Sequence, residues 1–373
     1  MADSLYIGLM SGTSMDGVDA VLASFDPNGK PHVIARSDAP FTKHLRDEFF
    51  LLNRAGADEL ARGALAANAL AEIYAQAVIQ LLVKSKVAAC EIRAIGAHGQ
   101  TVRHQPNQGY TIQLNAPAYL AELTGITVVA DFRSRDVAAG GQGAPLVPMF
   151  HAGVFSLDQT RAILNLGGIA NVTVLIPGEN PIGFDTGPAN VLMDLWCETH
   201  TGAAFDQDGK WGAQGKVHAE LLAHLIDSEP WFALAAPKST GRDLFHRAWL
   251  EKRMHHVIDL HGGQAPFTPQ DVQATLRALT AKTATDAITK YAVHAADVLV
   301  CGGGARNAAL MSELQQYLPC PIHQTDIAGI GTQDVEALAF AWLAWAHQQG
   351  LAVGNPSVTG ARGARILGAT WPA

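Results

Sequence analysis

Residues 7–19, with the sequence IGLMSGTSMDGVD, decide how this chain folds. One apolar segment enters this stretch, and another, residues 20–25, leaves it. Glycines between two apolar segments predict a β-hairpin whose backbone N–H groups can approach a phosphate, and the hydroxyls add further donors. The two carboxylates would repel a bare phosphate, so they indicate a cation or a hydroxyl nearby. Taken by itself, the stretch also fits a hairpin turn without a ligand.

Two further glycine-containing turns support a ligand. Residues 161–175, RAILNLGGIANVTVL, repeat the pattern of strand, turn and strand, which indicates a duplicated architecture with one hairpin per domain. Residues 297–307 read as a strand, three glycines and the start of a helix, and a base or ribose can lie against such a backbone. The candidate nucleotide-binding residues are Gly12, Thr13, Ser14, Met15, Asp16, Gly17, Val18, Asp19, Asn165, Gly167, Gly168, Gly302, Gly303 and Gly304.

Composition limits the class of protein. A chain of 373 residues predicts two domains, and its 48% hydrophobic and 16% charged residues predict a sizeable core. A net charge of −8 argues against nucleic acid or an anionic membrane as the main partner. The four cysteines form no C-x-x-C pair, and no signal peptide is expected before the first strand. No apolar run of transmembrane length is expected, and a cytoplasmic location fits.

The coarse pattern alternates strands and helices. Helical periodicity predicts helices at 43–86, 116–124, 218–226, 243–256, 268–292 and 308–318. A last helix is predicted with Glu336 near its start and its end at 347. Short apolar runs predict strands at 31–37, 92–97, 110–114 and 126–130.

Polar residues follow two of these strands, where open α/β sheets bind ligands. His98 follows one strand, and Asp131 and Arg133 follow the other. Arginine binds carboxylates through two parallel bonds, so these three are candidates for gripping an anionic or polyhydroxyl substrate. A core histidine and internal salt bridges are the structural alternatives. Glu336 begins the last long helix, either compensating the helix dipole or contacting metal or substrate.

Asp185 is the candidate catalytic residue. The sequence predicts that a buried strand ends at Asp185 and that a tight turn then opens a helix. A carboxylate there could be a general base, with helix N-capping as the alternative. Residues 238–243, KSTGRD, predict a donor-rich loop of the capping type.

The chain has neither a P-loop motif nor the H-R-D and D-F-G motifs of protein kinases. Its motifs resemble those of the anhydro-N-acetylmuramic acid kinases, within the actin–hexokinase–heat-shock ATPase superfamily. The opening motif is highly specific and the others are weaker; Ala189 stands where the family more often has glycine. The motifs that carry the resemblance are 8–19 (GLMSGTSMDGVD), 98–101 (HGQT), 131–133 (DFR), 165–171 (NLGGIAN), 184–188 (FDTGP) and 301–307 (CGGGARN).

The resemblance implies a two-domain α/β actin-like ATPase fold, ribonuclease H-like, with an interdomain active-site cleft. Domain 1 is expected at 1–131 with 341–373, and domain 2 at 132–340. ATP and Mg²⁺ would serve to cleave the 1,6-anhydro ring of 1,6-anhydro-N-acetylmuramic acid with water and phosphorylate O6, in recycling of cell-wall fragments. Asp185 matches the family's catalytic base. The metal ligands stay unknown, and the enzyme would be cytoplasmic and a possible homodimer. The alternative is a non-catalytic or chaperone-like actin-fold ATPase.

Overall fold

The computed structural model describes residues 3–12, 15–242 and 244–373. The chain divides into two compact units: the first unit comprises Met1–Phe155 and Gln333–Ala373, and the second unit comprises Ser156–Thr332. The domain boundaries expected from the sequence lie elsewhere, between residues 131 and 132 and between residues 340 and 341. The difference arises because residues 132–155 and the start of the last long helix pack with the first unit.

Along the chain, the strands are β1 (Ser4–Met10), β2 (Gly17–Phe25), β3 (Pro31–Pro40), β4 (Ile92–Ala97), β5 (Gln100–Gln105), β6 (Tyr110–Leu114), β7 (Val128–Ala130), β8 (Arg161–Leu166), β9 (Ile169–Leu175), β10 (Ile182–Pro188), β11 (Asp297–Cys301), β12 (Ile322–Gln324) and β13 (Ala369–Trp371). The α-helices are α1 (Lys43–Leu52), α2 (Glu59–Ser85), α3 (Pro117–Thr124), α4 (Ser134–Ala138), α5 (Val147–Phe155), α6 (Asn190–Thr201), α7 (Ala219–Asp227), α8 (Arg247–Leu260), α9 (Pro269–Tyr291), α10 (Ala308–Tyr317), α11 (Val335–Gln348) and α12 (Pro356–Thr359).

The two units repeat one sheet topology. The first unit has the strand order β13-β7-β4-β1-β2-β3, and the second unit has the order β10-β9-β8-β11-β12. In each unit the first strand pairs antiparallel with the next strand along the chain and parallel with a strand that comes much later. This repeated order, three antiparallel strands followed by parallel ones, is the ribonuclease H-like arrangement expected for each half. The α/β fold predicted from the sequence is confirmed.

Helix α11 packs directly on the backbone of the first sheet. A Cβ atom at Gly8 would lie 1.8 Å from the carbonyl oxygen of Ala337, and one at Gly96 would lie 2.0 Å from that of Phe340. The absence of side chains at these two glycines therefore lets the helix approach β1 and β4. This packing fixes the first turn of α11, which carries Glu336.

Two helices replace the single helix predicted at 43–86. Helix α1 ends at Leu52, and α2 begins at Glu59 after a turn that contains Gly56. By length and composition alone, α2 could cross a membrane, contrary to the sequence expectation, and half of its most apolar window is buried. Its buried face packs on β2, β3 and α3, as expected of a core helix.

Candidate functional site

The turn between β1 and β2 is tied to the start of β5 by side chains. Ser11 is buried, and its hydroxyl donates to the side-chain carbonyl of Gln100. The Gln100 amide donates to the carbonyl of Gly12 at 3.3 Å. Thr13 and Ser14 lie outside the described residues. The described part of the turn is therefore fixed in place by neighbouring polar groups.

Some of the candidate nucleotide-binding residues in this hairpin have packing roles. The side chains of Met15 and Val18 belong to the hydrophobic core of the first unit. A Cβ atom at Gly17 would lie 2.5 Å from the carbonyl oxygen of Ala39, so the close approach of β3 requires glycine there. These residues could therefore meet a nucleotide only through their backbone, whereas the side chain of Asp16 is exposed.

His98 and Arg133 lie in contact. The Nδ1 of His98 donates to the carbonyl of Ser11 at 3.1 Å, and its Nε2 accepts from the Arg133 guanidinium at 2.9 and 3.1 Å. Burial and, next, the charge of Arg133 lower the pKa of His98 to about 3. The neutral imidazole therefore links Arg133 to the turn, with both ring nitrogens used inside the protein.

Arg133 also holds the glycine-rich loop that follows it. Its Nη1 donates to the carbonyl of Gly143 at 2.7 Å, and the N–H of Gly143 donates to the buried Asp136 carboxylate at 2.8 Å. The other oxygen of Asp136 accepts from the Thr359 hydroxyl at 2.8 Å. A chain of hydrogen bonds thus runs from α12 through Asp136, Gly143, Arg133 and His98 to the turn after β1.

Acidic side chains influence one another near β2. Partial desolvation by the surrounding protein, followed by the charges of Asp16, Glu336, Asp38 and Asp334, raises the pKa of Asp19 to about 7, although Asp19 keeps contact with solvent. Electrostatics therefore couple Glu336 with the hairpin carboxylates, and a cation would relieve their mutual repulsion.

Asp131 directly follows β7 and is exposed. Its φ of 57° lies in the left-handed region, which is uncommon for residues other than glycine. The strained backbone turns the chain from β7 towards Arg133.

The hairpin of the second unit is held by the start of α6. The Asn190 side chain donates to the carbonyl of Leu166 at 3.0 Å, and the Asn190 N–H donates to that of Gly167 at 3.1 Å. The N–H groups of Ala189 and Val191 both donate to the carbonyl of Gly168 at 3.0 Å. Ala189, which stands where the sequence analysis expects glycine more often, therefore still donates a backbone hydrogen bond to the turn.

Two of the three glycines after β11 are required by packing. Gly302 has a φ of 81°, and a Cβ atom there would lie 2.4 Å from Oδ1 of Asn165. A Cβ atom at Gly304 would lie 2.6 Å from that of Leu166. At Gly303 the nearest atom would be 3.6 Å away, an ordinary contact. Packing therefore does not require glycine at position 303, in contrast to Gly302 and Gly304.

Asp185 lies within a strand, and the prediction that the strand ends there was wrong. Strand β10 continues to Pro188, and its register with β9 shifts between Asp185 and Gly187. Helix α6 has Ala189 as its N-cap, so Asp185 does not cap it. Instead the N–H of Thr240 donates to Oδ2 of Asp185 at 2.9 Å, and the N–H of Asp185 donates to the carbonyl of Lys238 at 3.0 Å. The loop that contains Lys238 and Thr240 thus holds Asp185 through both its carboxylate and its backbone N–H.

Comparison with known proteins decides the family. The family model described as anhydro-N-acetylmuramic acid kinase matches residues 4–373. The chain belongs to the anhydro-N-acetylmuramic acid kinase family. A relative of that name from Bordetella parapertussis is 63% identical over 369 residues, covering 99% of this chain and 96% of the relative. Another from Chromobacterium violaceum is 52% identical over 372 residues, covering 99% of each.

Membership of this kinase family confirms the sugar-kinase prediction and supports ATP as the co-substrate, and the chaperone-like ATPase is not favoured. Among solved structures, the chain is similar to an activator of 2-hydroxyisocaproyl-CoA dehydratase from Clostridium difficile with bound ADPNP. That match has 14% sequence identity and a TM-score of 0.48, and it covers 92% of this chain and 96% of the other.

Sequence reasoning missed two residues that organise the candidate site of this kinase. No local pattern identifies Asp136, because its partner Thr359 lies 223 residues away. Thr240 was placed in a capping loop, but α8 has His246 as its N-cap, and the Thr240 N–H reaches Asp185. The abundance of donors in 238–243 was the available signal.

Proposed function

We propose that this protein phosphorylates 1,6-anhydro-N-acetylmuramic acid at O6 with ATP while water opens the anhydro ring, giving N-acetylmuramic acid 6-phosphate and ADP. The observation that carries the proposal is Asp185, whose carboxylate is half-buried and oriented by the Thr240 N–H. In this reaction the bond between C1 and O6 breaks, water adds to C1, and O6 accepts the phosphoryl group. Asp185 takes a proton from the attacking water, a role for which an oriented carboxylate is suited.

The nucleotide would bind to the glycine turns of the two units. In the first unit we assign this role to residues 12–19, and in the second unit to Asn165, Gly167 and Gly168, with Gly303 against the base or ribose. Backbone N–H groups in such turns can cradle phosphates, and phosphoryl transfer depends mainly on positioning and charge neutralisation. The interdomain cleft predicted from the sequence stays a prediction.

Mg²⁺ fits the acidic side of the first hairpin. Among the described residues, no group of three or more histidine, cysteine, aspartate or glutamate side chains could hold a metal ion. Mg²⁺ bound with a nucleotide usually needs only one or two carboxylates besides phosphate oxygens and water. Desolvation and, next, the neighbouring carboxylates raise the pKa of Asp19, and a cation would offset the charge of these carboxylates. We assign Asp16 and Asp19 to hold Mg²⁺, which would neutralise phosphate charge, and Glu336 to a supporting role.

The sugar would be held from the first unit. Arg133 is the candidate for its lactyl carboxylate, with Asp131 beside it for a hydroxyl. His98 would act through Arg133, since both of its ring nitrogens already have protein partners. The negative net charge supports small-molecule substrates in place of nucleic acid or a membrane, and we place the enzyme in the cytoplasm as a possible homodimer.

Replacing Asp185 with asparagine tests the proposal. The asparagine side chain keeps an oxygen for the Thr240 N–H but is no base, so we expect turnover in an ADP-release assay to fall by about a hundredfold or more. ATP affinity, measured by calorimetry, should be unchanged. Asp206→Asn is the matched control, because Asp206 also accepts backbone N–H groups in the second unit, at 2.8 Å from Trp211 and Gly212. Near-normal turnover in Asp185→Asn would remove this residue from the mechanism.

A further inference from the structure

The stretch 238–240 holds the candidate base from two sides. The carbonyl of Lys238 accepts from the Asp185 N–H, and the N–H of Thr240 donates to the Asp185 carboxylate. This stretch lies in a loop between two helical segments. The orientation of Asp185 therefore depends on the contacts that hold this loop in place.

Trp231 fixes this loop at its middle residue. The indole Nε1 of Trp231 donates to the carbonyl of Ser239 at 3.0 Å. The ammonium group of Lys238 lies 4.2 Å from the centre of the Trp231 ring and donates to the carbonyl of Phe232 at 3.0 Å. One tryptophan thus contacts two consecutive residues of the loop, through a hydrogen bond and a cation–π interaction.

Glu229 and Phe245 in turn hold Trp231 in place. The buried Glu229 carboxylate accepts from the Trp231 backbone N–H at 3.1 Å, and its other oxygen accepts from Trp249 at 2.9 Å and Arg253 at 2.8 Å. The ring of Phe245 lies edge-on to Trp231, with centroids 5.7 Å apart. A cluster of aromatic and ionic side chains therefore contacts both the backbone and the ring of Trp231 and holds it against the loop.

We propose that Trp231 is a positioning residue for Asp185, acting through the 238–240 loop. The inference rests on the proposed role of Asp185 as general base. Trp231 sets the direction of the carboxylate towards the attacking water without contacting the substrate itself. A small misplacement of a catalytic group is costly, because a displacement of about 1 Å can reduce a rate by about a hundredfold.

The test is Trp231→Phe, which keeps the aromatic ring and removes the indole donor. We expect kcat in the ADP-release assay to fall about tenfold while KM for ATP and for the anhydro sugar stays within about twofold. Trp196→Phe is the matched control: Trp196 also donates its indole N–H to a backbone carbonyl of the second unit, that of Pro269 at 2.8 Å. Its kcat should stay near that of the unmodified enzyme.

The double variant Trp231→Phe with Asp185→Asn separates positioning from general damage. If Trp231 acts through Asp185, adding Trp231→Phe to Asp185→Asn should lower kcat no further. An equal tenfold loss in both backgrounds would overturn the inference and leave the role of Asp185 intact, as would unchanged kcat in Trp231→Phe alone. Full activity in Asp185→Asn alone would instead refute the proposed role of Asp185 as general base, on which this inference rests.

Discussion

Replacing His98 with glutamine measures what the neutral imidazole contributes to the first unit. The glutamine side-chain oxygen can replace Nε2 as the acceptor for Arg133, but the glutamine amide group lies at that same end and does not replace Nδ1 as the donor to the carbonyl of Ser11. A buried acceptor without a partner costs about 1–3 kcal/mol. At pH 7.5 the free energy of unfolding of His98→Gln should therefore be lower than that of the unmodified protein by about this amount.

The size of this deficit should depend on pH. Burial lowers the pKa of His98 to about 3 in the folded protein, whereas its ordinary value is 6.5. Between these values the unfolded chain binds a proton that the folded protein does not, so the stability of the unmodified protein falls as the pH falls below 6.5. At about 1.4 kcal/mol per pH unit, this loss reaches about 2 kcal/mol at pH 5. The variant has no imidazole, so its deficit should shrink by about 2 kcal/mol at pH 5.

Urea unfolding followed by circular dichroism at pH 7.5, 6.5 and 5 is the measurement. His98→Asn is the companion variant, because its amide can donate to Ser11 but cannot accept from Arg133. Both variants lack the imidazole, so both deficits should shrink in parallel, whatever their sizes at pH 7.5. Deficits that stay constant over this pH range would refute the assignment of His98 as a buried neutral histidine.

Three further variants address the candidate nucleotide-binding turns. Because the pKa of Asp19 is raised to about 7, ionising it destabilises the fold as the pH rises from 4 to 7; Asp19→Asn should therefore melt higher than the unmodified protein at pH 8 and about equally at pH 4, and an equal gain at both would contradict this. Gly302→Ala, with a positive φ and a Cβ atom 2.4 Å from Asn165, should lose about 2–4 kcal/mol in urea unfolding. Gly303→Ala, its neighbour with room for a Cβ atom, should keep its stability but raise KM for ATP, and an unchanged KM would remove Gly303 from the nucleotide site.

Local sequence patterns predicted the elements that depend on local interactions. The hairpin at 6–25 is confirmed by β1 and β2, and the second hairpin by β8 and β9, because apolar strands flanking glycine turns specify this motif locally. The long helix predicted at 268–292 is confirmed by α9, which Thr268 caps through its hydroxyl. The repeat of this hairpin indicated the duplicated architecture, and the family resemblance added the actin-like fold, which no single segment reveals.

The contacts that orient the candidate catalytic groups could not be predicted in this way. Asp185 and Thr240 are 55 residues apart, and Ser11 and Gln100 are 89 apart, so no periodicity or spacing rule joins them. The bulge after Asp185 depends on its pairing with β9, which a local pattern does not encode. Local rules are also broken at Asp131, with its positive φ, and at Asp19, with its raised pKa. Such departures are expected where a fold gives up stability for function, and here they fall on residues that the motifs had singled out as a site.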